Sequence, residues 1–225
     1  MRTLCTNGLK SVLLELVPDF ERTTGRKVVV TWGSANGLLK ELEAGSGGDL
    51  AILTTEAIEG LIARGKVIAG SRVDLARSGI GIAVRKGARK PDIASPDALK
   101  RALLSAKSVA HSKTGVSGIY FPTVLERLGI ADEMKSKIVM QDPGTPVGEV
   151  VADGEAELGV QQISELLPVV GIEVVGPLPP TLQKITTFSA GVLSAAKEPE
   201  TAQALVKFLG VRAPALLASK GLEPA

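Results

Sequence analysis

The amino-acid sequence predicts an α/β protein of mixed sheets flanked by helices. Three observations carry that prediction. Short runs rich in β-branched residues alternate with amphipathic helical stretches almost to the end of the chain. The breaks between them fall at Gly, Pro, Ser and Asn. The alternation yields about ten strands in 225 residues, more than one sheet of a 100-residue domain needs.

Each element has its own warrant. Residues 2–5 read as a first strand. Over 9–22, apolar residues recur at Leu9, Leu13, Leu16, Val17 and Phe20, one face of a helix. Pro18 is expected to bend or interrupt that helix, and Gly25 to stop it. KVVVTW over 27–32 is a buried strand, 38–44 a short helix, and DLAIL over 49–53 a third strand. A helix over 58–64 ends at Gly65. IGIAVR over 80–85 is a strand, and 96–105 a helix that starts with proline. Strands follow at 108–112, 137–141 and 158–162, with helices at 119–128, 146–153 and 163–167 between and after them. A strand near 173–175, a long apolar strand at 186–193 and helices at 198–209 and 214–219 complete the chain.

Composition excludes several function classes. The chain is 44% hydrophobic and 22% charged, as a globular protein is. Its net charge is only +2 and no basic stripe is present, so no nucleic-acid footprint is expected. Aromatic residues are few, which argues against a site of stacked rings. One cysteine, Cys5, excludes an internal disulfide. Cys5 and the single histidine, His111, do not make a Cys/His metal site, so no metal and no cofactor is expected. No apolar run reaches membrane-spanning length. Met1 stands directly before the first strand with no signal peptide between; a cytoplasmic chain and one whose leader has been removed both fit.

Four places share one design, a strand, then a loop of Gly, Ser, Thr or Asn, then a helix. They are Thr6-Asn7-Gly8, Gly33-Ser34-Ala35-Asn36-Gly37, Thr114-Gly115-Val116-Ser117-Gly118 and Gly144-Thr145-Pro146. Ligands of open α/β sheets bind beyond the carboxyl ends of strands, where such loops lie. Helix starts carry unpaired N–H donors and a partial positive charge, so they suit an anion. Any one loop is explained as well by ordinary helix capping; the recurrence points to a small anionic ligand. His111 is a candidate base for proton transfer, or a histidine hydrogen-bonded at a strand end. Lys113 is either a partner for a carboxylate or a solvated loop residue. Cys5 reads as a small buried residue.

The stretch LVPDFERTTGRKVVVTWGSANGLLKELEAG, continued by DLAILTTEAIEGLIARGKV, resembles the molybdate-binding group of type II periplasmic solute-binding proteins. VSGIYFPTVLERLGI, GEAELGVQQISEL and TAQALVKFL extend the likeness over nearly the whole chain. The resemblance implies a two-lobed fold with a cleft between lobes and a hinge. Lobe 1 would be 1–80 plus 190–225 and lobe 2 81–189, with crossovers near 78–82 and 188–191. It implies ligand contacts at Thr6, Asn7, Ser34, Ala35, Ser117 and Thr145, and at Gln162 where the group has a tyrosine; Tyr120 at the start of the central helix is a further candidate. No catalytic residue is implied. The group's partners would be a small anion, such as a molybdate-like oxyanion or a small carboxylate, and an ABC transporter permease, with the protein periplasmic and monomeric.

Gln162 in place of tyrosine changes the shape and polarity of the pocket, which suits a larger or less symmetric anion. GVQQISELL and GPLPPTLQ are similar to a branch of the group that includes an enzyme, aconitate isomerase, which moves a double bond in a tricarboxylate. An isomerase of that kind, and a cytoplasmic anion sensor on the same fold, are the alternatives to a transport role.

Overall fold

The structure is a computed structural model that describes residues 1–142 and 145–225. The chain divides into two compact units, Met1–Ser78 with Thr186–Ala225, and Gly79–Ile185.

In chain order the first unit begins with β1 (Arg2–Thr6), a 3-10 turn at Asn7–Leu9 and α1 (Lys10–Thr24). β2 (Val29–Gly33), α2 (Ala35–Glu43), β3 (Leu50–Thr54), α3 (Thr55–Ala63) and β4 (Val73–Ser78) follow. The second unit holds β5 (Ile80–Arg85), α4 (Pro96–Ser105), β6 (Val109–Ser112), α5 (Val116–Leu128) and α6 (Ala131–Met134). It continues with β7 (Ile138–Gln141), α7 (Val147–Ala152), β8 (Leu158–Gln162), α8 (Ile163–Leu166) and β9 (Ile172–Pro177). The chain returns to the first unit as β10 (Thr186–Val192), α9 (Pro199–Arg212) and α10 (Pro214–Leu217).

Both sheets have five strands and the same plan. The first runs β2-β1-β3-β10-β4, the second β7-β6-β8-β5-β9. In each, three neighbouring strands are parallel and the fourth is antiparallel to both its neighbours. The inner parallel strands β1, β3, β6 and β8 are largely buried, while β2 and β7 at the sheet edges are partly exposed. In the first unit Leu13, Leu16 and Phe20 of α1 and Leu205 and Leu209 of α9 meet Cys5, Ile52 and Phe188 of the sheet. In the second, Leu99 and Leu103 of α4 and Phe121, Val124 and Leu125 of α5 cover Ile82, Val109 and Val160.

Two expectations are corrected. Pro18 lies inside α1, which continues through it to Thr24. Its missing N–H leaves one carbonyl four residues back without its helical bond. Leu14 and Pro18 are both exposed, so water can serve that carbonyl. The second difference is β4, the edge strand of the first unit's five-stranded sheet, which periodicity did not reveal. Asp74 and Arg77 interrupt its apolar content, and its pairing with β10 shifts register between Phe188 and Ser189.

Candidate functional site

The parallel pairing brings the polar loops of each unit to one sheet edge. In the first unit Thr6 is in register with Gly33. Thr6 and Asn7 therefore sit beside Ser34 and Ala35 at the carboxyl edge. Thr6 is 4% exposed and extended, and its side chain caps nothing in the turn it opens. Ser34 caps α2, its Oγ accepting from the Gly37 amide at 3.1 Å. Ala35, buried, occupies the first helical position. The first-turn amides of α2 are donors that a helix does not satisfy by itself.

The same edge holds residues that sequence reasoning passed over. Thr54 ends β3 and caps α3 through the Ala57 amide at 3.3 Å. Thr55 shares a 2.7 Å hydroxyl–hydroxyl bond with Ser189, whose Oγ donates to Asp74 at 2.6 Å. The signal was present: Thr54-Thr55 follows a strand and opens a helix, the design of the four chosen loops.

In the second unit β6, β7 and β8 end together at Ser112, Gln141 and Gln162. Ser112 Oγ accepts from the amides of Thr114 at 3.3 Å and Gly115 at 2.9 Å, folding the loop tightly onto the strand end. Gly118 is pressed onto that same strand end, so close that a Cβ there would lie 1.8 Å from the Ser112 carbonyl oxygen. This approach sets the start of α5. Ser117, its second residue, is 1% exposed at the carboxyl edge. Gln162 ends β8, caps α8 by position and is 2% exposed. Thr145 lies exposed two residues before α7, its amide donating to the Asp142 carbonyl at 3.2 Å; Gly144 of the same loop lies outside the described residues.

Tyr120 is placed differently from its neighbours in the prediction. It packs against the second core and its hydroxyl donates to the Leu182 carbonyl at 3.2 Å, with Lys184 Nζ 5.5 Å from the ring centre. An anion needs donors, and the Tyr120 proton is already committed.

The candidate reactive groups are also accounted for. His111 lies within β6, buried, with Nδ1 3.1 Å from the Ser112 carbonyl and its ring edge-on to Phe121 at 5.5 Å. Burial lowers its pKa, outweighing that hydrogen bond, so the ring is neutral at pH 7. Lys113 pairs with Asp142 at 2.6 Å on the surface. Cys5 is fully buried, and burial pushes its thiol well above the ordinary range, where it is inert. Among the described residues no group of three His, Cys, Asp or Glu could hold a metal ion, and no helix is long and apolar enough to cross a membrane.

A cavity of about 540 Å³ lies at the opposite edge of the second sheet, lined by Val84, Arg89, Lys90, Arg101, Glu157 and Leu158 among others. It includes none of the predicted residues and opens at the amino end of β8, away from the loops described above.

Two units, each a five-stranded mixed sheet with helix starts gathered at its carboxyl edge, define the class of fold. Residues 1–223 match the family of bacterial extracellular solute-binding proteins, and the chain belongs to that family. It is 37% identical to the aconitate isomerase of a Pseudomonas species over 231 aligned positions, covering 100% of this chain and 87% of that protein. It is 29% identical to the molybdate-binding protein ModA of Azotobacter vinelandii, covering 87% and 78%. The fold is similar to that of the periplasmic molybdate-binding protein of Azotobacter vinelandii, with a TM-score of 0.82, 20% identity and coverage of 100% and 99%. The protein is thus a type II, ModA-like member of the solute-binding family.

Proposed function

We propose that the protein captures a small anion with neutral donors gathered at the carboxyl edges of its sheets and delivers it to an ABC transporter permease. Thr6, Asn7, Ser34 and the Ala35 amide serve from the first unit. Ser117, Thr145 and Gln162 serve from the second, and Tyr120 braces the start of α5. The observation that carries this reading is the clustering of helix starts and neutral polar residues at both carboxyl edges, with no Lys or Arg among those residues. Oriented amides and hydroxyls stabilise an anion without the cost of burying a cation. The ModA relative supports the transport role, and the family's extracellular description supports an extracytoplasmic site of action. The aconitate isomerase relative and Gln162 make a tricarboxylate the first organic anion to test.

Ser34→Ala tests the assignment. It should weaken binding of the responsive anion, molybdate or trans-aconitate, by about 1–3 kcal/mol in calorimetry if the hydroxyl is a buried donor. Loss of the cap alone should lower stability by about 1 kcal/mol and leave affinity unchanged. Unchanged affinity would reduce Ser34 to a helix cap.

A second reading is favoured by the 37% identity to an aconitate isomerase over the full chain. In it the same donors hold a tricarboxylate while a proton moves between its carbons. Proton NMR of cis- and trans-aconitate incubated with the protein tests it directly, and absence of interconversion removes it.

A further inference from the structure

Gln162 is flanked by a pair that the anion site does not use. Gln161 precedes it on β8, and Glu165 follows on α8. Gln161 Nε2 donates to Glu165 Oε2 at 2.8 Å across the strand–helix junction. Gln161 is 6% exposed, and its Oε1 is buried without a hydrogen-bond partner. Such an atom in a native interior calls for an explanation. Glu165 is half-buried. Burial pushes its carboxyl up to about 7, although the Gln161 bond pulls the other way.

The elements packed on α8 add no compensating charge. β8 carries no ionisable side chain. β5, β9 and α7 carry Arg85, Glu173 and Glu149. Arg85 and Glu149 are exposed, and Glu173 is held by Lys90 at 3.0 Å. None of the three contributes to the Glu165 shift.

The two protonation states of Glu165 use the Gln161 amide differently. An ionised carboxylate accepts, so Nε2 turns toward it and Oε1 is left unpartnered, as in this structure. A neutral acid keeps an acceptor oxygen and also has an O–H to donate, for which Oε1 is the acceptor at hand. A half-turn of the amide gives it that acceptor and leaves Nε2, a donor, where Oε1 lay.

We propose that Glu165 is a positioning residue that sets the Gln161 amide by its protonation, tunes the β8–α8 junction that places Gln162, and links anion capture to proton uptake. The linkage rests on the anion reading above. Its sign is fixed by charge: an anion beside Gln162 disfavours ionised Glu165, so binding takes up a proton, and by reciprocity affinity falls as pH rises.

The test begins without an anion. The carboxyl carbon of Glu165 and the amide signals of Gln161 and Gln162 are followed by NMR from pH 4 to 9, in the wild type and in Glu165→Gln. The proposal expects one shared midpoint near 7 at all three residues, and no such step at Gln161 and Gln162 in the variant, which keeps the size and the acceptor of the side chain. A carboxyl midpoint near the ordinary glutamate value of about 4.3, or amides that do not follow it, would overturn the switch. Titration with molybdate and with trans-aconitate should then raise the midpoint, with affinity falling by up to about tenfold per pH unit above it and little pH dependence in Glu165→Gln. An anion that binds without moving the midpoint overturns the linkage. If neither probe binds at any pH while the shared midpoint is seen, the anion reading fails and the junction switch stands.

Discussion

Gly118→Ala should leave the second unit unable to reach its native packing. The added Cβ would sit 1.8 Å from the carbonyl oxygen of Ser112, 2.7 Å from its carbon and 3.0 Å from its nitrogen. All three are backbone atoms at the end of a central buried strand, so no side chain can swing away to make room. The strand end is also held from the other side, through Ser112 Oγ and the amides of Thr114 and Gly115. Ordinary overpacking costs about 1–3 kcal/mol, and a clash with fixed backbone belongs to the rarer class of about 4 kcal/mol or more. Urea denaturation at pH 7 measures the loss. Gly210→Ala is the matched control: it lies inside α9 with open space around it, and alanine there should raise stability by about 0.5–1 kcal/mol.

Asp49→Ala should cost about 3–5 kcal/mol, because three charge-assisted hydrogen bonds to the backbone are lost together. Asp49 is 6% exposed. One carboxylate oxygen accepts from the Arg2 amide at 2.6 Å, the other from the amides of Lys197 and Glu198 at 2.7 and 2.9 Å. The side chain thereby ties the start of β1 and the segment entering α9 to the start of β3. Burial alone would raise its pKa, but the amides of Arg2, Glu198 and Lys197 outweigh it and hold the carboxyl below the ordinary value. A depressed folded-state pKa contributes stability above the unfolded value of about 3.9, lost as pH falls through the folded value. The gap between wild type and Asp49→Ala in denaturation experiments should therefore be full at pH 7 and narrow in strong acid. Asp49→Asn, which keeps one acceptor oxygen, should fall between them.

The fold was legible where burial dictated sequence. DLAIL and IGIAVR are strands shielded on both faces, and their apolar runs announce it, whereas the equally apolar KVVVTW forms the half-buried edge strand β2. β4 was hidden because one edge strand with Asp74 and Arg77 in it has too little pattern to stand out, and its partner β10 is more than a hundred residues away. Proline at position 18 does not interrupt α1, and the sequence does not show that it and Leu14 both lie exposed, where water can serve the carbonyl left without its helical bond. At the site, a cap residue after a strand was a usable signal, and Thr6, Ser34, Ser117 and Gln162 do come to carboxyl edges. The same signal at Thr54-Thr55 went unused. The Gln161–Glu165 pair was not legible: its meaning depends on a side-chain hydrogen bond and an orphaned oxygen, both properties of three-dimensional packing. Tyr120 shows the converse, a residue whose position fits a ligand wall while its hydroxyl already has a backbone partner.

Neutral donors gathered for an anion are the centre of this account, and a thermal-shift screen of the purified protein tests it most directly. Molybdate, tungstate, sulfate, citrate and the two aconitates would each be added at increasing concentration. A responsive anion at a hundred times its dissociation constant should stabilise the folded protein by about 2.7 kcal/mol, and Ser34→Ala should shift that response to higher concentration. A protein whose melting temperature is unmoved by every anion in the set would contradict the account.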